Sequence, residues 1–283
     1  MRTPDFVAVG HLCCDLMDDR QILGGSASYS SLTARRLGRS VGIVTAVAPD
    51  FPFRRTFEEN SMSICGAPST STTIFRNTYR DGAREQFIRS VAAPIHAADV
   101  PEAWAAAPIV YICPIADEVM PGVLVRFRNS MIGIGAQGWF REWDSTGRVK
   151  RKKWANAADV ARYAGAVIYS ELDTDEPYAL VADIAEHTPI IIVTQSSRGA
   201  ELFLKSGRVH VPAYEIEEVD PTGAGDVFAA AFLVRHHECG DPVEAAKFAC
   251  CAASFVCEKE GTEGIPTLAQ VVERKRKYDE LYG

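Results

Sequence analysis

Six short apolar runs recur along the 283-residue chain, and their spacing constrains its fold more than any other feature. They occupy residues 6–10, 41–47, 109–112, 131–136, 166–169 and 190–194 and are rich in Val, Ile and Ala. Runs this short and this apolar read as strands buried on both faces. Helix-length segments separate several of them, notably residues 176–187, and the last third is strongly helical over 241–257 and 268–282. Strands that alternate with helices predict a mainly parallel sheet covered on both faces, with its active site at the carboxyl ends of the strands. A hydrophobic fraction of 47% and a charged fraction of 24% are those of an ordinary globular chain, and 283 residues suit one large α/β domain. There is no internal repeat and no long low-complexity linker.

Asp220-Pro221-Thr222-Gly223-Ala224-Gly225-Asp226, followed at once by the apolar run 227–233, describes a turn that becomes a helix. Pro221 stiffens the approach, the two glycines permit positive φ, and the Ala-rich run propagates as helix. The first turn of such a helix aims unpaired N–H groups and the positive dipole end at one spot, which favours an anion. Asp226 stands beside that spot. A carboxylate repels a resting phosphate, but it suits a group that takes a proton from a hydroxyl attacking that phosphate. The plainer reading, a Gly-rich turn with Asp226 as an ordinary helix-start residue, stands beside it on spacing alone.

The segment closely resembles the C-terminal signature of the ribokinase-like (PfkB) sugar kinases, Asp-Thr-x-Gly-Ala-Gly-Asp, with Pro221-Thr222 as a modest departure. The resemblance extends to the N-terminus, where Gly24-Gly25-Ser26 opens a small-residue segment ending at Leu37-Gly38, after a first strand and Asp15. It implies a ribokinase-like three-layer α/β/α sandwich over residues 1–283, with a small β lid formed by strands from about 12–23 and 69–91. By the same resemblance Asp226 is the catalytic base, and the amides of Gly223, Ala224 and Gly225 form the hole for the transferring phosphate. Asp15, Gly24, Gly25 and Ser26 bind substrate hydroxyls. Tyr29 stands where many members carry Asn, which implies an acceptor bound differently from ribose or fructose.

Within residues 69–91, two β-branched and aromatic runs flank Arg80-Asp81-Gly82-Ala83, a hairpin signal that reads either as an edge hairpin or as the lid. Arg76, Asn77 and Arg84 are its polar candidates. The strand 190–194 and the turn through Ser196 to Gly199 resemble the family's Val-Thr-x-Gly-x-x-Gly segment near ATP, with Ser196 in place of a glycine. Thr194, Ser196, Gly199 and Thr222 are therefore expected at the nucleotide, as are Ala252 and Ser254, in the part that closes around the adenine. Residues 169–173 occupy the place of the family's Asn-x-x-Glu motif, which makes Asp173 and Glu171 the candidates for Mg²⁺. ATP and Mg²⁺ are the implied cofactors.

Gln137-Gly138-Trp139-Phe140-Arg141 is similar to a segment of the branch related to plant myo-inositol kinases. That branch also shares a Gly-x-x-Cys-x-Asp start, here Gly10 to Asp15. Gln137 and Arg141 accordingly join the substrate candidates, and the implied acceptor is a cyclitol or similar polyol. A sugar or nucleoside acceptor on the same fold is the alternative, and a catalytically silent sugar- or nucleotide-binding regulator is another. The net charge of −7 argues against a non-specific nucleic-acid binder, and no Lys/Arg run suggests a groove reader. The short basic cluster 148–153 reads as a solvated surface turn. No apolar stretch nears the roughly 20 residues of a membrane span, and the N-terminus lacks a signal-peptide core. Eight cysteines without a Cys-x-x-Cys read as free buried thiols, so a cytoplasmic location is expected. The oligomeric state is not readable from the sequence; lids of the resembled family often pair as dimer contacts, so the resemblance offers a homodimer through the lid as one candidate assembly.

Overall fold

A computed structural model of the protein describes residues 2–17, 20–80 and 83–282. The chain opens with β1 (Phe6–Val9), β2 (Cys13–Met17) and β3 (Arg20–Gly24), then helix α1 (Ser26–Arg36) and β4 (Val41–Val47). Helix α2 (Arg54–Glu59), β5 (Ser63–Pro68), β6 (Thr73–Arg80), β7 (Ala83–Ser90) and β8 (Ile109–Ile112) follow. Next come β9 (Met131–Gly135), β10 (Arg141–Trp143), β11 (Val149–Arg151), α3 (Ala157–Ala161), β12 (Ala166–Ser170) and α4 (Pro177–Ile184). The C-terminal part holds β13 (Ile190–Thr194), β14 (Ala200–Leu204), β15 (Gly207–Val211), α5 (Ala224–Cys239), α6 (Pro242–Cys257) and α7 (Leu268–Tyr282).

The main sheet runs β15, β14, β13, β12, β9, β8, β1, β4, β5. Every neighbouring pair from β13 to β5 is parallel, and β14 and β15 add an antiparallel edge. Strand order reverses between β1 and β8, because the chain builds outward to β5 and then returns to the other side of β1. Such a reversal opens a crevice at the carboxyl ends of the strands. Alternate residues of each strand point to opposite faces, so two cores form. Phe6, Ala8, Ile109 and Ile168 pack with α1, α5, α6 and α7 on one face. Val7, Val9, Val110 and Val167 pack with Trp104, Phe127, α3 and α4 on the other. This is the expected three-layer sandwich.

A second sheet, ordered β3, β2, β6, β7, stands apart from the first and falls within both segments expected to form the lid. A third small apolar cluster joins it to the body: Cys13, Phe75 and Ile88 meet Ile115 and Ala116. Asp81 and Gly82, the centre of the expected hairpin turn, lie outside the described residues, as does the side chain of Arg84. The basic cluster 148–153 is not a free turn. It contributes β11, which pairs antiparallel with β10, and its cations meet Glu85, Asp144, Asp175 and Asp117 across the surface. Among the described residues no helix is long and apolar enough to cross a membrane.

Candidate active site

Helix α5 is buried on every side from Val227 to Val234, which fixes its first turn within the body of the protein. Gly223 caps it in the left-handed region at φ 80°, and a Cβ there would lie 2.2 Å from the Tyr29 ring. Only glycine fits both the turn and the contact. The Gly223 carbonyl accepts from Asp226 N and Val227 N, and Ala224 N donates to Pro221 O at 3.1 Å. Ala224 therefore departs from expectation, since its amide is already committed. The amides of Gly223 and Gly225 have no backbone partner among the described residues, and nothing lies within 4 Å of where a Gly225 Cβ would stand. Two such amides at the positive end of the helix dipole could cradle an anion.

Asp226 lies in the first turn of α5, half-buried. Removal from water pushes its carboxyl up to about 6, a nearby Asp173 adds to the rise, and a hydrogen bond from Ser26 and the Arg141 guanidinium oppose it. Ser26 opens α1 directly after the Gly24-Gly25 turn, so the two glycine-led helix starts converge on one carboxylate. Helix α1 is unusually polar for a buried helix. It succeeds because Ser28, Ser30 and Thr33 return their hydroxyls to carbonyls four residues back, at 2.6–2.7 Å.

Asp15 on β2, 8% exposed, lies against Gly24, where a Cβ would come within 2.2 Å of its carboxylate. Tyr29 is buried with its hydroxyl unpartnered. Desolvation, together with the carboxylates of Asp220, Asp15 and Asp226, holds that hydroxyl protonated. Arg141 donates to Ile115 O at 3.1 Å and lies over the Phe75 ring of the second sheet, 5.5 Å from its centroid. Asn77, two residues on from Phe75, shares its strand face and accepts from Gln86 at 3.0 Å. Gln137 donates to Asp173 at 3.2 Å, and Asp173 also accepts from Ser170 N at 2.9 Å. The structure thus gathers Asp15, Gly24, Ser26, Tyr29, Gln137, Arg141, Asp173 and Asp226 at the carboxyl ends of β1, β9 and β12.

The residues expected at metal and nucleotide divide. Asp173, its carboxyl raised chiefly by desolvation, fits a Mg²⁺ site of the kind that binds through one carboxylate, waters and phosphate oxygens. Glu171 does not fit: Arg198 takes both of its oxygens at 2.5 Å. Among the described residues no group of three or more His, Cys, Asp or Glu is placed to hold a metal without such help. Thr194 ends β13 beside Ser170 and donates to Tyr169 O at 3.4 Å. Ser196 adopts φ 53°, the left-handed geometry that the missing glycine would supply, and Gly199 follows at φ 99°. Thr222 N is held by Asp220 at 2.9 Å. Ala252 is fully buried, and Ser254, 6% exposed, bonds Cys251 O and Arg274.

Three contributors escaped the sequence. Tyr111 on β8 lies under the site, its hydroxyl 2.1 Å from where a Gly135 Cβ would stand, and a plain apolar strand gave no sign of it. Asp220 accepts from Thr222 N and Gly261 N, tying the cradle loop to the end of α6. His11 is fully buried where β1 leaves the main sheet for the second. Its Nε2 meets Ala93 O at 2.9 Å and its Nδ1 meets the Thr73 hydroxyl at 2.7 Å.

Residues 153–268 match the pfkB family of carbohydrate kinases. The match takes in α3 through the start of α7 and with them the Gly223–Asp226 turn. The chain is 28% identical over 248 residues to inositol 3-kinase of Oryza sativa subsp. japonica, a match covering 80% of this chain and 61% of that protein. It is 26% identical over 257 residues to cytidine kinase of Thermococcus kodakarensis, covering 85% and 91% of the two chains. Its fold matches that of a pyrophosphate-dependent kinase in the ribokinase family complexed with a pyrophosphate analog and myo-inositol. That likeness has a TM-score of 0.80 at 21% identity over 95% of this chain and 99% of the other. The chain spans less than two thirds of the length of the plant inositol 3-kinases it matches.

Proposed function

We propose that the protein phosphorylates a hydroxyl of a small polyol, with Asp226 as general base and a cyclitol such as myo-inositol as acceptor. The observation that carries this reading is the placement of Asp226. A carboxylate raised to about 6, held by Ser26, stands beside two unpartnered amides at the start of a buried helix. An acceptor hydroxyl hydrogen-bonded to Asp226 gives up its proton there as its oxygen attacks the terminal phosphorus of the donor. Charge developing on the transferred group meets the amides of Gly223 and Gly225 and the dipole of α5. Mg²⁺, held through Asp173, supplies charge neutralisation on the donor phosphates. Asp15, Tyr29, Gln137, Arg141 and Asn77 offer acceptors and donors for a ring of hydroxyls, and the second sheet acts as a lid that keeps water from the attacking position.

The inositol 3-kinases and the myo-inositol complex among its relatives favour the cyclitol. Cytidine kinase, which matches nearly full length, favours a nucleoside as the second reading. The family resemblance implies ATP as donor, whereas the solved neighbour is pyrophosphate-dependent, and either donor presents a terminal phosphoryl group to the cradle. A panel of myo-inositol, other cyclitols, ribose, fructose and nucleosides, offered with each magnesium-bound donor, tests the reading. Acceptor-dependent release of ADP or orthophosphate, strongest with a cyclitol, is expected. Binding of a polyol with no turnover from either donor contradicts catalysis and leaves a silent binding protein.

A further inference from the structure

Near the cradle loop, the chain fills a slot between two aromatic rings with one of its own cations. Tyr214 follows β15 and Phe255 lies near the end of α6, and both line a cavity of about 410 Å³. The Arg274 guanidinium of α7 sits 3.3 Å from the Phe255 ring centroid and 5.0 Å from that of Tyr214. It donates to Ser254 Oγ at 2.8 Å and to both carboxylate oxygens of Glu258, at 2.9 and 3.3 Å. Stacking, a forked ion pair and a buried hydroxyl therefore hold one planar group in place.

The slot adjoins the cradle. Residues 214–222 form the stretch leading from Tyr214 to Gly223, and this stretch is fastened along the end of α6. Val219 N and Asp220 N both donate to Cys257 O, at 2.8 and 3.1 Å, and Asp220 accepts from Gly261 N at 3.2 Å. A donor with its terminal phosphoryl on Gly223 and Gly225, running along this stretch, would bring a planar heterocyclic base to the two rings. There the Arg274 guanidinium already covers the Phe255 face and forms one wall of the cavity. The carboxylates of Glu218, Asp220 and Glu258 surround the same stretch closely enough to help hold the Cys257 thiol protonated, and they would repel the inner phosphates of a longer donor.

We propose that Arg274 is a donor-specificity residue. It closes the base end of the donor site, so that inorganic diphosphate is accepted in preference to a nucleoside triphosphate. This rests on the phosphoryl-transfer reading above and names its donor. In the reaction, the bond between the bridging oxygen and the terminal phosphorus of diphosphate breaks. The bridging oxygen keeps the electron pair and leaves as orthophosphate, the acceptor oxygen forms the new P–O bond, and the acceptor proton passes to Asp226. A nucleotide must first expel Arg274 and give up its charge-assisted bonds, whereas diphosphate need not.

Calorimetric titration of the intact protein with magnesium diphosphate and, separately, with MgADP tests this without any acceptor. The expected result is diphosphate binding at least about tenfold tighter than MgADP, a gap of one decade in Kd. Arg274→Ala should tighten MgADP about tenfold or more and leave diphosphate within about twofold. Glu258→Gln loosens the guanidinium without removing its packing and should shift MgADP in the same direction, which guards against a folding defect in the first variant. Equal binding of the two ligands by the unaltered protein, or MgADP binding unmoved in both variants, overturns the proposal. Turnover with cyclitols is scored apart: diphosphate that binds but transfers to no acceptor contradicts the kinase reading, and the titrations still decide the donor.

Discussion

At the scale of single residues, Asp226 combines two properties that pull in opposite directions. Its carboxyl holds a proton up to about pH 6, so the folded state is favoured below the unfolded value near 4 and loses that advantage as pH rises through 6. The same elevation brings it into the range where a base both exists and accepts a proton. Asp226→Asn should therefore lower turnover by about 10²–10⁴-fold with donor affinity largely retained. It should also raise stability at pH 7 by up to about 3 kcal/mol, read from denaturant midpoints. In the unaltered protein, turnover should fall as pH drops below about 6. Ser196 makes a different case. It holds φ 53° without being glycine, a strain of roughly 1–2 kcal/mol against a glycine entropy cost of about 0.5–1. Ser196→Gly should stabilise the fold by about 0.5–1 kcal/mol, and a loss of stability would show that its side chain has a role the backbone does not reveal.

Among the elements, the joint between main sheet and lid is the least legible from sequence and the most open to test. His11, Thr73, Ala92 and Ala93 meet there. Thr73 Oγ1 accepts from Ala92 N at 3.0 Å and donates to His11 Nδ1, while Nε2 carries the proton given to Ala93 O, since a carbonyl can only accept. Glu118 fastens the same corner by accepting from the amides of His11, Ile115 and Ala116. Thr73→Val strands the Ala92 amide and the imidazole nitrogen, so a loss of about 1–3 kcal/mol is expected. Faster hydrogen exchange should be confined to β6 and β7, with a raised KM for the acceptor and donor binding unchanged. Exchange spreading evenly over both sheets would show that the corner is not a lid joint. No local pattern announced it, because a lone His after an apolar strand reads the same whether it hinges a lid or fills a core. Gly223→Ala makes the complementary test at the joint of α1 and α5. The left-handed turn and the Tyr29 ring together should cost about 3 kcal/mol and abolish anion binding.

For the molecule as a whole, what could be read in advance follows what period and turn chemistry encode. Six of the seven parallel strands were legible because runs such as Val41–Val47 and Ile190–Thr194 are almost wholly apolar, as burial on both faces requires. The edge strands β5 and β15 were not, since Ser63–Pro68 and Gly207–Val211 are half-exposed and mix polar with apolar residues. The turn that carries the proposed base and cradle was legible because glycine and Asp occupy places in it that few residues can fill. Arg274 and Tyr111 were not, since each acts through neighbours distant in sequence. Burial of the thiols is likewise a property of the whole. Cys13, Cys14, Cys113, Cys250 and Cys251 are buried and Cys239 is exposed, and desolvation raises Cys14 to about 11 and Cys251 to about 12. Alkylation should reach Cys239 first and the buried five only at the rate of global unfolding, as mass spectrometry of labelled fragments would show. The central claim is that Asp226 accepts the proton of an attacking hydroxyl. The most direct measurement is product release from magnesium-bound donor with myo-inositol, taken from pH 4.5 to 9 for the unaltered protein and for Asp226→Asn. The account predicts a rate that rises with an apparent pKa of about 6 and is lost in the variant. Equal turnover by the two proteins, or a profile flat through pH 6, would contradict it.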